Sequence, residues 1–363
     1  MKTGILTFHR CINYGSYWQT RCLAEELKRR GHEVSILDHY SPRVNRSEWK
    51  CALQPVLPTP VPPSDLPLYR QKMEKFFQAF CRLPLSHPFP LEHPSLMDEY
   101  DLVIVGSDEV WNLSHPWYGY YPIFYGEGIR AKHLISYAAS FGNYDVSWKP
   151  NPEWVNKLQK FDKISVRDEN SQIIVKNALG YEPEMVLDPC LLFPPGHSDA
   201  DIPFDKPYVA VYGHNFSPFF IHHVRSWADA ERIKLISIGY RNDWADEQWL
   251  TAGPLEFASF VSRADAVVTN FFHGCIFSLI NSKPFVVETT PYRNHKVQDL
   301  IKKTGAEKHI VNEETLNLTY HELLENRPDE KIHDNITRLR RSSSAFLDSA
   351  LTYNSHKQHE SIV

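Results

Sequence analysis

His273 has the setting in this chain that most favours chemistry. It follows the apolar stretch Ala266-Val267-Val268-Thr269 through Asn270-Phe271-Phe272, and it precedes Gly274-Cys275-Ile276-Phe277-Ser278, which reads as the start of a helix. Amides at a helix start lack intrahelical acceptors and carry the positive end of the dipole, so a side chain beside Gly274 and Cys275 is well placed to meet a phosphate or carboxylate. A lone histidine elsewhere is usually a hydrogen-bonded structural side chain. Other polar segments also stand directly after apolar ones. Asn13 lies in the turn His9-Arg10-Cys11-Ile12-Asn13-Tyr14-Gly15-Ser16, whose glycine spacing matches neither GxGxxG nor a P-loop. Ser107 and Asp108 follow Leu102-Val103-Ile104-Val105-Gly106, where such residues either cap a helix or face a ligand. Arg167 and Asp168 follow Ile164-Ser165-Val166. Asp168 can cap the next helix, whereas Arg167 has no local use and either pairs with a buried carboxylate or binds an anion.

These segments need a scaffold that sets strand ends side by side, and the spacing of apolar residues predicts one. Residues 2–8 read as a strand, 17–30 as a helix stopped by Gly31, and 33–37 as a second strand: a β-loop-α-β unit that opens a parallel sheet. Strands at 101–105, 133–138, 163–166 and 184–187 and helices at 68–81, 152–161 and 169–179 continue it. Residues 54–67 hold six prolines and read as an extended insertion over the surface. After the breaker-rich Pro194-Pro195-Gly196-His197-Ser198, strands at 208–212, 235–239, 266–269 and 285–288 alternate with helices at 219–231, 255–263, 274–282 and 296–304. The fold class is therefore α/β, with two Rossmann-like domains at residues 1–193 and 194–330. A helix at about 332–351, within a C-terminal segment 331–363, is expected to cross back to the first domain. In such sheets ligands sit outside the carboxyl ends of the strands, which is where His273, Asp108, Arg167 and Asn13 fall.

Composition narrows the function. At 363 residues the chain can build two cores. Net charge is −5 with dispersed basic residues, which argues against nucleic-acid binding. Arg338-Leu339-Arg340-Arg341 reads as the solvated face of a helix and not as a membrane contact. The six cysteines lack CxxC spacing, so neither a zinc site nor a disulfide framework is indicated, and reduced thiols suit the cytoplasm. No apolar run approaches the roughly 20 residues of a membrane span, and the amino terminus lacks a signal-peptide pattern. No Asp/Glu/His set with metal-ligand spacing follows the strands, so no metal and no cofactor are expected.

Taken in order, the strand-end segments resemble the polysaccharide pyruvyl transferases. The resemblance is carried by Thr7-Phe8-His9-Arg10 with Asn13-Tyr14-Gly15, by Val105-Gly106-Ser107-Asp108-Glu109-Val110-Trp111-Asn112, and by Ser136-Tyr137-Ala138-Ala139-Ser140-Phe141-Gly142. Ser165-Val166-Arg167-Asp168, Leu187-Asp188-Pro189, Val268-Thr269-Asn270-Phe271-Phe272-His273-Gly274-Cys275-Ile276-Phe277-Ser278 and Lys283-Pro284-Phe285 complete it. It implies a GT-B-like fold and transfer of the pyruvyl group of phosphoenolpyruvate onto a sugar, as a ketal bridging two hydroxyls. The sugar would belong to a polysaccharide or to a lipid-linked precursor, which would bring the enzyme to a membrane surface. By resemblance, His273 and Asp108 are the catalytic candidates. Arg167, Gly274, Cys275, Arg293 and Lys296 are candidates for holding the donor, and Asn13 and Ser107 for lining the acceptor side. The aromatic run Trp117-Tyr118-Gly119-Tyr120-Tyr121 could stack on sugar rings or serve as core. The pattern departs at Phe271, where the family carries an arginine; Arg293 or Lys296 is the expected substitute. Two other readings share this fold: a glycosyltransferase using a nucleotide sugar, and a sugar-binding member without turnover.

Overall fold

The computed structural model describes residues 1–145, 151–196, 200–289 and 294–360. The first part of the chain runs β1 (Lys2–Leu6), α1 (Tyr14–Arg29), β2 (Glu33–Ile36), β3 (His39–Tyr40), α2 (Pro42–Leu53), α3 (Leu66–Phe80), β4 (Phe89–Pro90), β5 (Tyr100–Val105), β6 (Ala131–Ser136), α4 (Pro152–Leu158), β7 (Ser165–Val166), α5 (Glu169–Leu179), β8 (Glu184–Met185) and α6 (Pro189–Leu192). The second runs β9 (Tyr208–Tyr212), α7 (Pro218–Glu231), β10 (Lys234–Ile238), β11 (Glu247–Trp249), α8 (Pro254–Arg263), β12 (Ala266–Thr269), α9 (Phe272–Ile280), β13 (Phe285–Glu288), α10 (Asn294–Thr304), β14 (Ile310–Val311), α11 (Asn317–Glu325) and α12 (Glu330–Glu360).

Each part is built on its own parallel sheet. The first has order β2-β1-β5-β6, and the second has order β11-β10-β9-β12-β13-β14. Bridges of Ile135 with Lys163 and of Ala139 with Val166 carry the first sheet on toward the β7/β8 pair. Strands flanked by helices on both faces must be apolar throughout, and Leu102, Val103, Ile104, Val105, Val267, Val268, Phe285 and Val286 are all fully buried. In each sheet the chain winds one way from its first strand and then reverses, between β1 and β5 in one and between β9 and β12 in the other. Such reversals open a crevice at the strand ends.

Local chemistry sets where the helices begin. Asn13 Oδ1 accepts from the amides of Gly15 (2.8 Å) and Ser16 (3.2 Å), so α1 starts at Tyr14, three residues earlier than the periodicity predicts. Asp168 caps α5 as expected, accepting from Ser171 N at 2.8 Å. Helix α2 has no counterpart in the sequence reading, because Val44 is its one fully buried residue and its apolar pattern is faint. β11, β14 and α11 were likewise not anticipated; β11 and β14 are short edge strands.

The two sheets share one continuous apolar cluster. The Tyr14 ring stacks on Phe257 at 4.4 Å while its hydroxyl donates to Ala252 O at 2.8 Å, and Trp18 Nε1 donates to Pro254 O at 2.9 Å. On α3, Lys75 pairs with Glu256, and Arg241 from the second part reaches Asp65 at 2.8 Å just before that helix. Helix α12 returns from the second part to the first, as expected. Ser343 Oγ accepts from Leu187 N at 2.9 Å, Arg340 Nε donates to Leu191 O at 2.8 Å, and Lys163 Nζ donates to Ser349 O at 3.0 Å. In the basic knot, Arg340 therefore turns inward, while Arg338 and Arg341 are exposed. No helix among the described residues is long and apolar enough to cross a membrane.

Leu347 is fully buried where α12 meets this cluster. Leu347→Ala should lower the unfolding free energy by about 2–5 kcal/mol. Arg341→Ala on the exposed face of the same helix should change it by less than about 0.5 kcal/mol. Denaturant titrations of the two variants test whether the return of α12 is part of the fold's stability.

Candidate active site

The two reversals face each other across a cavity of about 370 Å³. Asn13 and Ser16 enter it from the β1 turn, Asp108 and Glu109 from the end of β5, His214 from the end of β9, and Phe271, Phe272 and His273 from the end of β12. Helices α2 and α3 close one side with Glu48, Cys51 and Lys72, and Lys296 of α10 enters from the other.

His273 is the second residue of α9, whose cap is Phe271, so the helix begins two residues earlier than expected. That shift corrects the expected role of Cys275. Its amide already bonds Phe271 O at 3.2 Å within the helix, its side chain is fully buried, and burial pushes its thiol pKa up. The amides without intrahelical acceptors are those of Phe272, His273 and Gly274. Gly274 also has a packing reason to be glycine: a Cβ there would lie 2.0 Å from Thr269 Oγ1. That hydroxyl donates to Tyr212 O at 2.6 Å and accepts from Phe271 N at 3.0 Å, so it cannot move aside cheaply.

Beneath His273 lies a buried charge network. His273 Nε2 is 3.5 Å from Asp188 Oδ2, and the same oxygen accepts from Arg167 Nη1 at 3.1 Å. Arg167 Nη2 reaches Asp108 Oδ1 at 3.3 Å, Nη1 lies 3.4 Å from Ser107 Oγ, and the guanidinium stands 5.0 Å over the Phe272 ring. With a side chain only 2% exposed, Arg167 is the buried arginine paired with carboxylates and does not line the cavity, which corrects its expected place on the donor. Ser107 is corrected in the same way. It is fully buried and its hydroxyl donates to Ala138 O at 3.1 Å, so it supports the floor without facing the acceptor side.

Asp108 does reach the cavity. Its backbone takes a positive φ of 84°, an uncommon conformation for a non-glycine residue, and Ser140 N donates to its carbonyl at 3.0 Å. Ser16 Oγ donates to its Oδ2 at 2.6 Å. Burial would raise its pKa, but Arg167, the Ser16 hydroxyl, His273 and Lys296 outweigh that and hold it below the ordinary carboxylate range. Asp108 is therefore an ionised acceptor of protons and not a donor. Asp188 is also ionised: burial opposes it, yet His273 and Arg167 bring it down to about 2.

The remaining expected residues divide. Asn13 is exposed and lines the cavity, with its Oδ1 engaged in the α1 cap. Lys296 lines it too, but its ammonium pairs with Glu109 across the cleft. Arg293 lies outside the described residues. Of the aromatic run, Trp117 faces the cavity; Tyr118 stacks on Phe8 at 4.1 Å in the core, and Tyr120 is 61% exposed.

Some groups escaped the strand-end rule. Asp188 caps α6 through Cys190 N (3.0 Å), and its signal was Asp before Pro189. Glu48 of α2 sits beside Cys11 and Trp117, and burial, with the charge of Asp108, pushes it up to about 7. Lys72 of α3 is buried in the opposite sense, down to about 7. The expected lack of a ligand set also needs correction, because Asp188, Cys190 and His273 bring ligand atoms within 4.8 Å of one another. Two features there oppose a cation. Arg167 already holds the Asp188 oxygen, and burial raises the Cys190 thiol well above its usual range.

Solved structures similar to this chain share its two-domain architecture. A Listeria monocytogenes protein described as a UDP-N-acetylglucosamine 2-epimerase aligns at TM-score 0.53 and 11% identity over 96% of this chain and 94% of that one. The S. aureus protein MnaA, in its structure with UDP, aligns at 0.52 and 12% over 97% and 96%. UDP-GlcNAc 2-epimerase from Neisseria meningitidis, bound to UDP-GlcNAc, aligns at 0.51 and 10% over 97% and 100%. No curated protein matches the sequence. The fold, with its cleft between facing strand ends, is of the GT-B class. Within that class the chain belongs to the polysaccharide pyruvyl transferase family, whose sequence pattern it matches over residues 13–290.

Two substitutions test the network. A Cβ on Gly15 would fall 2.0 Å from His273 Nδ1, so Gly15→Ala must displace the imidazole from its present position. The variant should melt within a few degrees of wild type, yet turn over about 100-fold more slowly. Asp188→Asn should cost about 3–5 kcal/mol at neutral pH by leaving Arg167 short of a partner. Because the folded-state pKa of Asp188 is depressed, its contribution is complete above about pH 4 and fades as pH falls toward 2. Stability curves of variant and wild type should converge over that window and stay parallel above it.

Proposed function

We propose that this protein transfers the pyruvyl group of phosphoenolpyruvate to two hydroxyls of a sugar, releasing phosphate and leaving a cyclic ketal. One observation carries this reading: three of the segments that carry the family resemblance, those of Asn13, Asp108 and His273, meet at a single cleft, where a histidine at a helix start stands opposite an ionised Asp108.

The chemistry asks for a proton at C3 of the enol and for stabilisation of the departing phosphate. His273 is the candidate for both, as proton donor and as a partner of the phosphate beside the first amides of α9. Protonation turns the methylene into a methyl and makes C2 electrophilic. A sugar hydroxyl then adds to C2 and gives its proton to Asp108, phosphate leaves with the bonding pair, and a second hydroxyl closes the ring. Of the two hydroxyl protons, one balances that taken up at C3 and the other leaves with phosphate. Asp188 turns the imidazole, and Arg167 holds Asp188 and Asp108 in place; both are positioning residues. Trp117 offers an apolar face for the acceptor, a sugar of a polysaccharide or its lipid-linked precursor. The protein works as a soluble enzyme of the cytoplasm that meets such acceptors at the membrane surface, with no cofactor and no metal.

A nucleotide-sugar glycosyltransferase is the rival, favoured by structural neighbours solved with UDP or UDP-GlcNAc. The two separate on ligand stabilisation. Phosphoenolpyruvate should raise the melting temperature and UDP-GlcNAc should not, since a ligand of the native state stabilises it in proportion to its binding. His273→Gln should fold normally and release phosphate at least about 100-fold more slowly in the presence of a glycan panel. Stabilisation by UDP-GlcNAc alone would favour the rival. A His273→Gln variant with wild-type turnover would move the acid elsewhere, with Glu48 the next candidate.

A further inference from the structure

Lys72 has no role in the chemistry above, yet it is a buried cation aimed into the same cavity. It is 2% exposed and comes from α3, a helix of the first domain, and its Nζ donates to Gly239 O of the second domain at 2.9 Å. The ammonium stands 4.5 Å from the centroid of Tyr240, 5.2 Å from Tyr14 and 6.0 Å from Tyr69. Among the described residues it forms no ion pair. One carbonyl and three ring faces do not replace the hydration of an ammonium with three donors. The Tyr240 ring is also 5.4 Å from Phe271, so Lys72 approaches the corner of the cleft that Phe271 lines.

We infer that Lys72 is an anion-binding residue of the cleft, receiving a carboxylate or phosphate oxygen of the bound ligand and so supplying from α3 the positive charge that Phe271 cannot. The ligand is the counter-ion that the ammonium lacks. This rests on the reading of the cleft as an anion-donor site and goes beyond it in naming which cation serves.

A proton signature follows. Burial brings Lys72 down to about 7, so at pH 8 the empty site holds it mostly neutral, and an arriving anion restores its proton. The titratable groups that face it are Tyr14 of α1, Cys51 and, a turn away, Glu48 of α2, Tyr69 of α3 and Tyr240 after β10; His214 lines the same cavity. None of these is a carboxylate in contact with the ammonium. Anion binding at pH 8 should therefore take up close to one proton at this site.

The test is isothermal titration calorimetry at pH 8 in two buffers of different ionisation enthalpy, with phosphoenolpyruvate, inorganic phosphate and pyruvate as separate probes. Lys72→Met should bind the anion about 10- to 100-fold more weakly, lose the proton uptake, and melt no lower than wild type without ligand. Lys72→Arg, whose charge does not titrate, should keep affinity and lose the uptake; it carries the test if the Met variant fails to fold. Unchanged affinity and unchanged uptake in either variant overturn the assignment of Lys72. Lys72-dependent binding of phosphate or pyruvate, but not of phosphoenolpyruvate, supports the assignment and removes the proposed donor. Failure of all three probes to bind wild type overturns both.

Discussion

One carboxylate oxygen organises this molecule. Asp188 Oδ2 accepts from Arg167 at 3.1 Å and faces His273 at 3.5 Å, so a residue at the end of the first domain's sheet holds a first-domain cation and a second-domain imidazole together. The arrangement survives burial because Asp108 and Asp188 share the Arg167 guanidinium, with the His273 ring beside them. Removing Asp188 leaves Arg167, whose side chain is 2% exposed, short of a buried partner. The two domains thus meet at their strand ends over a group of buried polar side chains, beside the apolar contacts of Tyr14 and Trp18.

The network also explains why the cavity-facing groups differ in character. Asp108 shares Arg167 and stays ionised, whereas Glu48 is pushed up to about 7 by burial, with no cation paired to it among the described residues. Two carboxylates in one cleft are thereby shifted in opposite directions by their neighbours. Lys72 completes the pattern from the other sign of charge, buried among rings and not beside an acid.

Much of this architecture was legible in the residues. Parallel strands buried on both faces read as apolar runs, and the polar residues that follow them announce the strand ends, which is why the positions of Asn13, Asp108 and His273 at the cavity could be read from the sequence. Arg167 was found but misplaced, because its partner Asp188 lies 21 residues away and nothing local says that the two meet. Cys275 was assigned a free amide because the start of α9 is set by Phe271, a residue without a capping side chain. Glu48 and Lys72 sit on helices, where a charged residue reads as solvated unless the cavity they face is known. A rule keyed to strand ends passes over whatever helices contribute from the side.

The helical side wall has a consequence of its own. Between α2 and α3 runs the proline-rich stretch, whose Pro55 and Val56 border the cavity, with Val56 79% exposed and its carbonyl accepting from Asn215 of the opposite domain at 3.5 Å. Proline fixes φ before any ligand arrives, so this rim has little conformational freedom left to surrender when a bulky guest lies across it. A rim of this kind is suited to act as a stencil and not as a flexible flap, so substitutions along it would change which outlines pass while the charged floor beneath stays as it is.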